Sequence, residues 1–129
     1  MSGTKEDQIN YRIKKSQETF DDAKYDAAGG RWNACVNRLY YSSFTILTAL
    51  LLKNNIEAKS HKGIRIQFHY HFVKTGLVSM EHSQLYSDLF EWRLEEDYAD
   101  FIDFDEKLVS PLIKEVEEFN QKILELVNR

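Results

Sequence analysis

Cysteine is nearly absent from this sequence: Cys35 is the one example in 129 residues. A lone cysteine closes no internal disulfide and builds no thiolate metal cluster, and it suits a reducing, cytoplasmic setting. Proline is as scarce, with Pro111 alone, and there are five glycines. So little turn chemistry argues against a β-sandwich or barrel, which consumes both at its many tight turns. Long apolar runs are missing too. The greasiest stretch, Phe44 to Leu52, is broken by Thr45 and Thr48 and falls far short of the ~20 residues that span a bilayer. The polar start, Met1-Ser2-Gly3-Thr4-Lys5-Glu6-Asp7, lacks the apolar segment of a signal peptide, so neither secretion nor a membrane partner is expected.

What is present suits one soluble domain. The apolar fraction is 43% and the charged fraction 29%, which excludes disordered, collagen-like and purely coiled-coil readings. Seventeen aromatic residues are ample for one small core. The net charge of −4 is unevenly spread. Residues 31–75 hold seven basic groups and one acidic, whereas residues 76–129 hold five basic and fourteen acidic. The basic middle also carries His61, His69 and His71. Either it meets a phosphate-bearing partner, or, more simply, it packs beside the acidic C-terminal third.

The apolar periodicity is helical throughout and predicts about five helices. The first covers about Thr4–Ala28, with a stripe of Ile9, Ile13, Phe20, Ala23 and Ala27, and Gly29-Gly30 ends it. The second, about Arg31–Lys53, is apolar on two faces: Trp32, Val36, Leu39, Ile46 and Leu50 on one, Tyr40, Phe44, Leu47 and Leu51 on the other. A helix greasy over so wide an arc is the central one of a bundle. Ser60 is placed to cap a third helix, His61–Lys74, carrying Ile64, Phe68 and Phe72 and closed by Gly76. Ser79 is placed to cap a fourth, about Met80–Ala99. Asp103 and Glu106 have capping-box spacing for a fifth, which carries Leu108, Leu112, Val116, Phe119, Ile123 and Leu126. Pro111 should kink its first turns or mark its true start. Short connections make this an all-α, up-and-down antiparallel bundle in a single domain, with its core at about residues 5–127.

Two polar lines interrupt the pattern. Arg38, Tyr41, Thr45 and Thr48 are spaced 3, 4 and 3 apart on the second helix, down an otherwise buried element. A buried guanidinium needs an anion, either a carboxylate of the fourth helix or an external phosphate; the internal salt bridge is the commoner answer. On the fourth helix Tyr86, Phe90, Arg93 and Asp97 share a face, and Arg93 and Asp97 can pair one turn apart. Arg93 is the one basic residue between Lys74 and Lys107. It is either the counterion of its acidic neighbours or an anion site they help position. The histidines lack metal-ligand spacing, and no phosphate loop, dinucleotide fingerprint or nucleophile elbow occurs, so neither a metal nor a cofactor is expected.

The ordered set Arg38-Leu39-Tyr40-Tyr41-Ser42-Ser43-Phe44, Ser60-His61-Lys62-Gly63, Phe72-Val73-Lys74-Thr75-Gly76 and Arg93-Leu94-Glu95-Glu96-Asp97-Tyr98 resembles the small stand-alone HEPN proteins, the higher-eukaryote and prokaryote nucleotide-binding family. The resemblance covers roughly residues 5–127. It implies an up-and-down helical bundle that forms a homodimer. It also implies a prokaryotic toxin–antitoxin or defence module, often paired with a minimal nucleotidyltransferase antitoxin. Many relatives are metal-independent ribonucleases whose motif is an Arg, four to six residues, then a His. The Arg steadies a scissile phosphate and the His handles the 2′-hydroxyl proton.

Arg93 stands at the motif Arg position. Tyr98 stands where the nearest motif His belongs, Ala99 and Asp100 occupy the longer spacings, and Leu94 replaces the usual polar neighbour. An ordinary tyrosine titrates near 10, so only about one in a thousand is ionised at pH 7 and it makes a poor general base. The candidate residues are therefore Arg93, Tyr98 and Asp97 for any chemistry, and Arg38, Tyr41, His61 and Arg93 for phosphate. The expected function is a HEPN module that binds a nucleotide, an RNA phosphate or a nucleotidyltransferase partner without strong catalysis. One alternative is an active ribonuclease toxin using Arg38, His61 or Tyr98 in place of the motif His. The other is a structural helical dimer.

Overall fold

Short polar side chains set most of the helix starts. The computed structural model describes residues 3–98 and 103–129, with side chains described for all of these except 94–98. Thr4 caps α1 (Lys5–Ala28) by accepting the Asp7 N–H at 3.0 Å. α2 (Trp32–Lys53) follows after Gly30, whose φ of +71° makes the tight reversal that a side chain would resist. Ser60 caps α3 (His61–Phe68), and Ser79 caps α4 (Met80–Tyr98) by accepting the His82 N–H at 3.1 Å. α5 (Glu106–Val127) starts on Asp105, which accepts from the Leu108 N–H at 2.9 Å. Asp103, placed in the cap by its spacing to Glu106, lies outside the helix. Pro111 sits in the second turn of α5, where the helix forgoes one backbone hydrogen bond.

The third element departs from a plain α-helix. After Phe68 the chain widens into a π-turn, His69–Val73, closed by the Lys74 N–H on the His69 carbonyl at 2.8 Å. Phe68, Phe72 and Val73 are all buried. An α-helical turn brings residue i+4 back over residue i, and the wider turn brings i+5 as well, so both Phe72 and Val73 reach the core.

α2 is the central helix and packs against α1, α3, α4 and α5. Val36, Leu39, Leu47 and Leu50 are fully buried, and such side chains contribute about 1.5–3 kcal/mol each by leaving water. α5 lays Val109, Leu112, Val116, Phe119, Ile123 and Leu126 against the bundle at 3–4–3–4–3 spacing. Leu108, expected in that stripe, is 45% exposed. A run of rings ties the helices together: Phe119 stacks on Tyr86 at 5.8 Å, and Tyr86 stacks on Tyr40 at 5.8 Å. Tyr86 and Phe90 of α4 are buried within the chain, and Trp92 is half-buried against Phe104 at 5.9 Å, so these rings leave no uncovered aromatic arc for a second copy to bury.

Buried polar groups fasten α1, α2 and α5. The Ser16 hydroxyl donates to the Ser42 carbonyl at 2.7 Å, Ser43 donates to Asn120 Oδ1 at 2.8 Å, and Asn120 Nδ2 donates to Ser42 Oγ at 3.1 Å. Among the described residues no helix is long and apolar enough to cross a membrane.

Candidate functional site

α2 presents Tyr40 inward and Tyr41 at the edge of the bundle, because consecutive helical positions differ by about 100°. Tyr40 is fully buried and Tyr41 half-buried. Their rings meet edge to face at 5.1 Å. His61, the first residue of α3, comes up beside them. Its ring stacks on Phe44 at 4.2 Å and meets the Tyr41 ring edge-on at 5.8 Å. Its Nδ1 lies 2.8 Å from the Tyr40 hydroxyl. Ser60 holds this corner by accepting the Gly63 N–H at 2.9 Å, so the cap that starts α3 also places His61.

α4 supplies Arg93 from the opposite side. Its Nε donates to the Tyr41 hydroxyl at 3.3 Å, and its guanidinium carbon lies 5.7 Å from the Tyr40 ring centre. Arg38, one turn before Tyr41, sets its guanidinium 5.4 Å from the Tyr41 ring centre. Its Nε and Nη2 donate to Asn37 Oδ1 at 3.1 and 2.6 Å. Among the described residues, a neighbouring side-chain amide and an aromatic face hold Arg38; the side chains of Glu95, Glu96 and Asp97 lie outside the described residues.

Burial dominates the electrostatics of the two inner tyrosines. Loss of solvent pushes the Tyr40 phenol up to about 12, against a smaller downward pull from the Tyr86 hydroxyl and from Arg93. Tyr86 is pushed well above 10 by burial and by Tyr40. Its hydroxyl is fully buried and makes no hydrogen bond of ordinary geometry, although it lies near enough to Tyr40 for Tyr40 to disfavour its ionisation while it eases that of Tyr40. Tyr40 therefore stays neutral at physiological pH and has a proton to offer His61 Nδ1. Cys35 is buried, and burial followed by the charge of Asp26 raises its thiol to about 11, which makes it inert rather than nucleophilic.

Four of the candidate residues, Arg38, Tyr41, His61 and Arg93, thus come together from three helices. α4 is helical through Tyr98, but the side chains of Asp97 and Tyr98 lie outside the described residues. Thr45 and Thr48 belong elsewhere: Thr48 Oγ1 donates back to the Thr45 carbonyl at 2.6 Å, and Arg12 donates to the Thr48 carbonyl at 3.1 Å. Tyr40 and Asn37 were missed as parts of this site. Tyr40 fell in an apolar stripe, and its hydroxyl was the signal that one end would need a polar partner. Among the described residues no three His, Cys, Asp or Glu side chains converge as a metal cage. The arrangement offers two cations and several hydroxyl and ring N–H groups at one edge of the bundle, which suits an oxyanion.

Comparison with known proteins places this geometry in a family. A 36% identical UPF0332 protein of Thermotoga maritima aligns over 123 residues, 95% of this chain and 93% of its own length. A UPF0332 protein of Archaeoglobus fulgidus is 29% identical over 95% of this chain and 98% of its length. A Methanocaldococcus jannaschii protein, named as a candidate toxin, is 30% identical over 67% of this chain and 54% of its own length. The HEPN domain model matches residues 9–126, so the chain belongs to the HEPN family.

Proposed function

We propose that this HEPN chain is the phosphate-binding member of a toxin–antitoxin or defence module, holding a nucleotide or RNA phosphate at Arg38 and Arg93 without strong catalysis. The convergence of two guanidinium groups on Tyr41 carries the reading. Guanidinium donors match phosphate oxygens in a fixed fork, and ring faces steady them without discharging them. Among the described residues the general base that cleavage needs is poorly provided. Tyr40 stays protonated, and a Tyr40 hydroxyl that donates to His61 Nδ1 leaves the ring proton on Nε2, a tautomer in which His61 has no free basic nitrogen. The name of the Methanocaldococcus jannaschii relative supports the toxin setting. A nucleotidyltransferase antitoxin is the partner that setting suggests.

The ribonuclease reading keeps one specific observation in its favour. His61 shares both Tyr40 and Tyr41 with Arg93, so α3 brings a histidine beside the residue at the motif Arg position. A single experiment separates the two. Purified protein is incubated with single-stranded RNA in EDTA, alongside Arg93→Ala and His61→Ala. The binding reading expects intact RNA throughout, and RNA affinity weakened in Arg93→Ala by about 1–3 kcal/mol, the worth of a charge-assisted contact. Cleavage that survives EDTA and disappears in both variants establishes the nuclease instead.

A further inference from the structure

A second concave surface lies between the π-turn and α4. It encloses about 660 Å³, within the range of small-ligand sites, and is lined by Arg65, His69, Tyr70, Lys74, Ser83 and Ser87 over a floor of Phe68 and Tyr86. Among the described residues none of its lining is acidic, in a chain of net charge −4. The π-turn accounts for its shape: by turning Phe72 and Val73 inward, it leaves His69 and Tyr70 outward beside Lys74. Tyr70 is 58% exposed, and Ile66, one turn earlier, is 51% exposed. The Lys74 ammonium lies 5.3 Å from the Tyr70 ring centre. Arg65 packs its guanidinium on the Phe90 ring at 4.3 Å and reaches Glu91 through one long contact of 3.4 Å. That exposed pair is weak, and it occupies one of the five N–H donors of Arg65.

We propose that this groove binds a nucleotide, free or as one unit of an RNA strand, with the base stacked on Tyr70 and the phosphate between Arg65 and Lys74. An exposed ring beside an apolar side chain gives a base a flat face, and the cations beside it meet the phosphate. The hydroxyls of Ser83 and Ser87 face the same space and suit the polar edges of a base or ribose. A plain anion site would not need an exposed aromatic face, and an apolar peptide site would not be rimmed by cations. The inference rests on the preceding reading only for the class of ligand; its residues are separate from Arg38, Tyr41 and Arg93.

The probes are AMP, ribose 5-phosphate and a fluorescein-labelled oligoadenylate, each titrated against the parent chain, Tyr70→Ala, Lys74→Glu and Arg93→Ala. Tyr70 and Lys74 are exposed, so both variants should keep the parent's circular dichroism. Tyr70→Ala and Lys74→Glu are each expected to raise the dissociation constant about tenfold. AMP binding with that sensitivity identifies a free nucleotide as ligand; sensitivity seen with oligoadenylate alone identifies a unit of a strand. Ribose 5-phosphate binding as tightly as AMP overturns the stacked base. Binding that ignores Tyr70 and Lys74 but falls in Arg93→Ala overturns the groove and leaves the Arg38–Arg93 site standing. Binding that falls in the groove variants but not in Arg93→Ala does the reverse, and no binding of any probe overturns both.

Discussion

Asn120 is the residue whose removal should be felt most widely for its size. Its amide joins α5 to α2 through two hydrogen bonds, accepting from Ser43 at 2.8 Å and donating to Ser42 Oγ at 3.1 Å. Both serines are fully buried. Asn120→Ala deletes both bonds, each with a net worth of about 1 kcal/mol. It also strands the Ser43 hydroxyl, at a further ~1 kcal/mol unless that hydroxyl turns back to a carbonyl one helical turn earlier. Ser42 Oγ keeps its bond to the Leu39 carbonyl at 2.8 Å and adds little. The expected loss is about 2–3 kcal/mol, a fall of roughly 10 °C in melting temperature for a domain of this size. Urea unfolding followed by circular dichroism, at one fixed protein concentration, measures it. The double replacement Ser43→Ala with Asn120→Leu removes both ends of one bond and should cost less than Asn120→Ala alone, because no buried donor is left without an acceptor. A cost under ~0.5 kcal/mol for Asn120→Ala, or a double variant worse than the single one, would refute the reasoning.

Two further outcomes follow from the same structure. The Tyr40 phenol sits at about 12 in the folded chain against about 10 unfolded, so the folded form holds its proton longer. Its contribution is fully present below pH 10 and is lost as pH rises from about 10 to about 12; Tyr40→Phe should flatten alkaline unfolding across that window, as followed by circular dichroism. The homodimer implied by the family resemblance predicts a light-scattering mass near 30 kDa at micromolar concentration, twice the chain's 15.2 kDa, and a value near the chain mass counts against it.

Much of the fold was legible because its signals are local. Ser60 and Ser79 stand directly before periodic apolar runs, and both cap as their positions imply. Gly30 and Gly76 adopt the positive φ that their place after a helix suggests. The fifth helix start was misread because two aspartates lie two residues apart, and the capping-box spacing of Asp103 to Glu106 competed with a plain Asp105 cap. The π-turn was illegible because Ile64, Phe68 and Phe72 keep an α-helical period by themselves. Only the burial of Val73 beside Phe72 reveals the extra residue in the turn. The Ser42, Ser43 and Asn120 network joins residues 77 and 78 positions apart, a pairing that no local pattern encodes. At the site, spacing along α2 exposed Arg38 and Tyr41. That Arg93 meets Tyr41 depends on the register of α4 against α2, which only packing decides.

On the proposed phosphate-binding reading, the same packing prepares the cluster for its ligand. A guanidinium on a long side chain ordinarily gives up rotamer freedom when it grips an anion, at roughly 0.5–1.5 kcal/mol per immobilised chain. Here Arg38 is already tied to Asn37 and laid toward Tyr41, and Arg93 is already bonded to the Tyr41 hydroxyl. Tyr41 in turn is braced by Tyr40, Phe44 and His61. Tyr40 stacks on Tyr86, which stacks on Phe119 of α5. Much of the ordering is therefore completed on folding, as part of a core that forms for hydrophobic reasons. On the proposed reading, an arriving phosphate exchanges water for donors that are already positioned by an amide, a phenol and aromatic rings. That order of events favours tight, preorganised binding over a site that must move to react. It also locates the sensitive point: a cut at Tyr41 loosens both arginines at once, although Tyr41 carries no charge of its own.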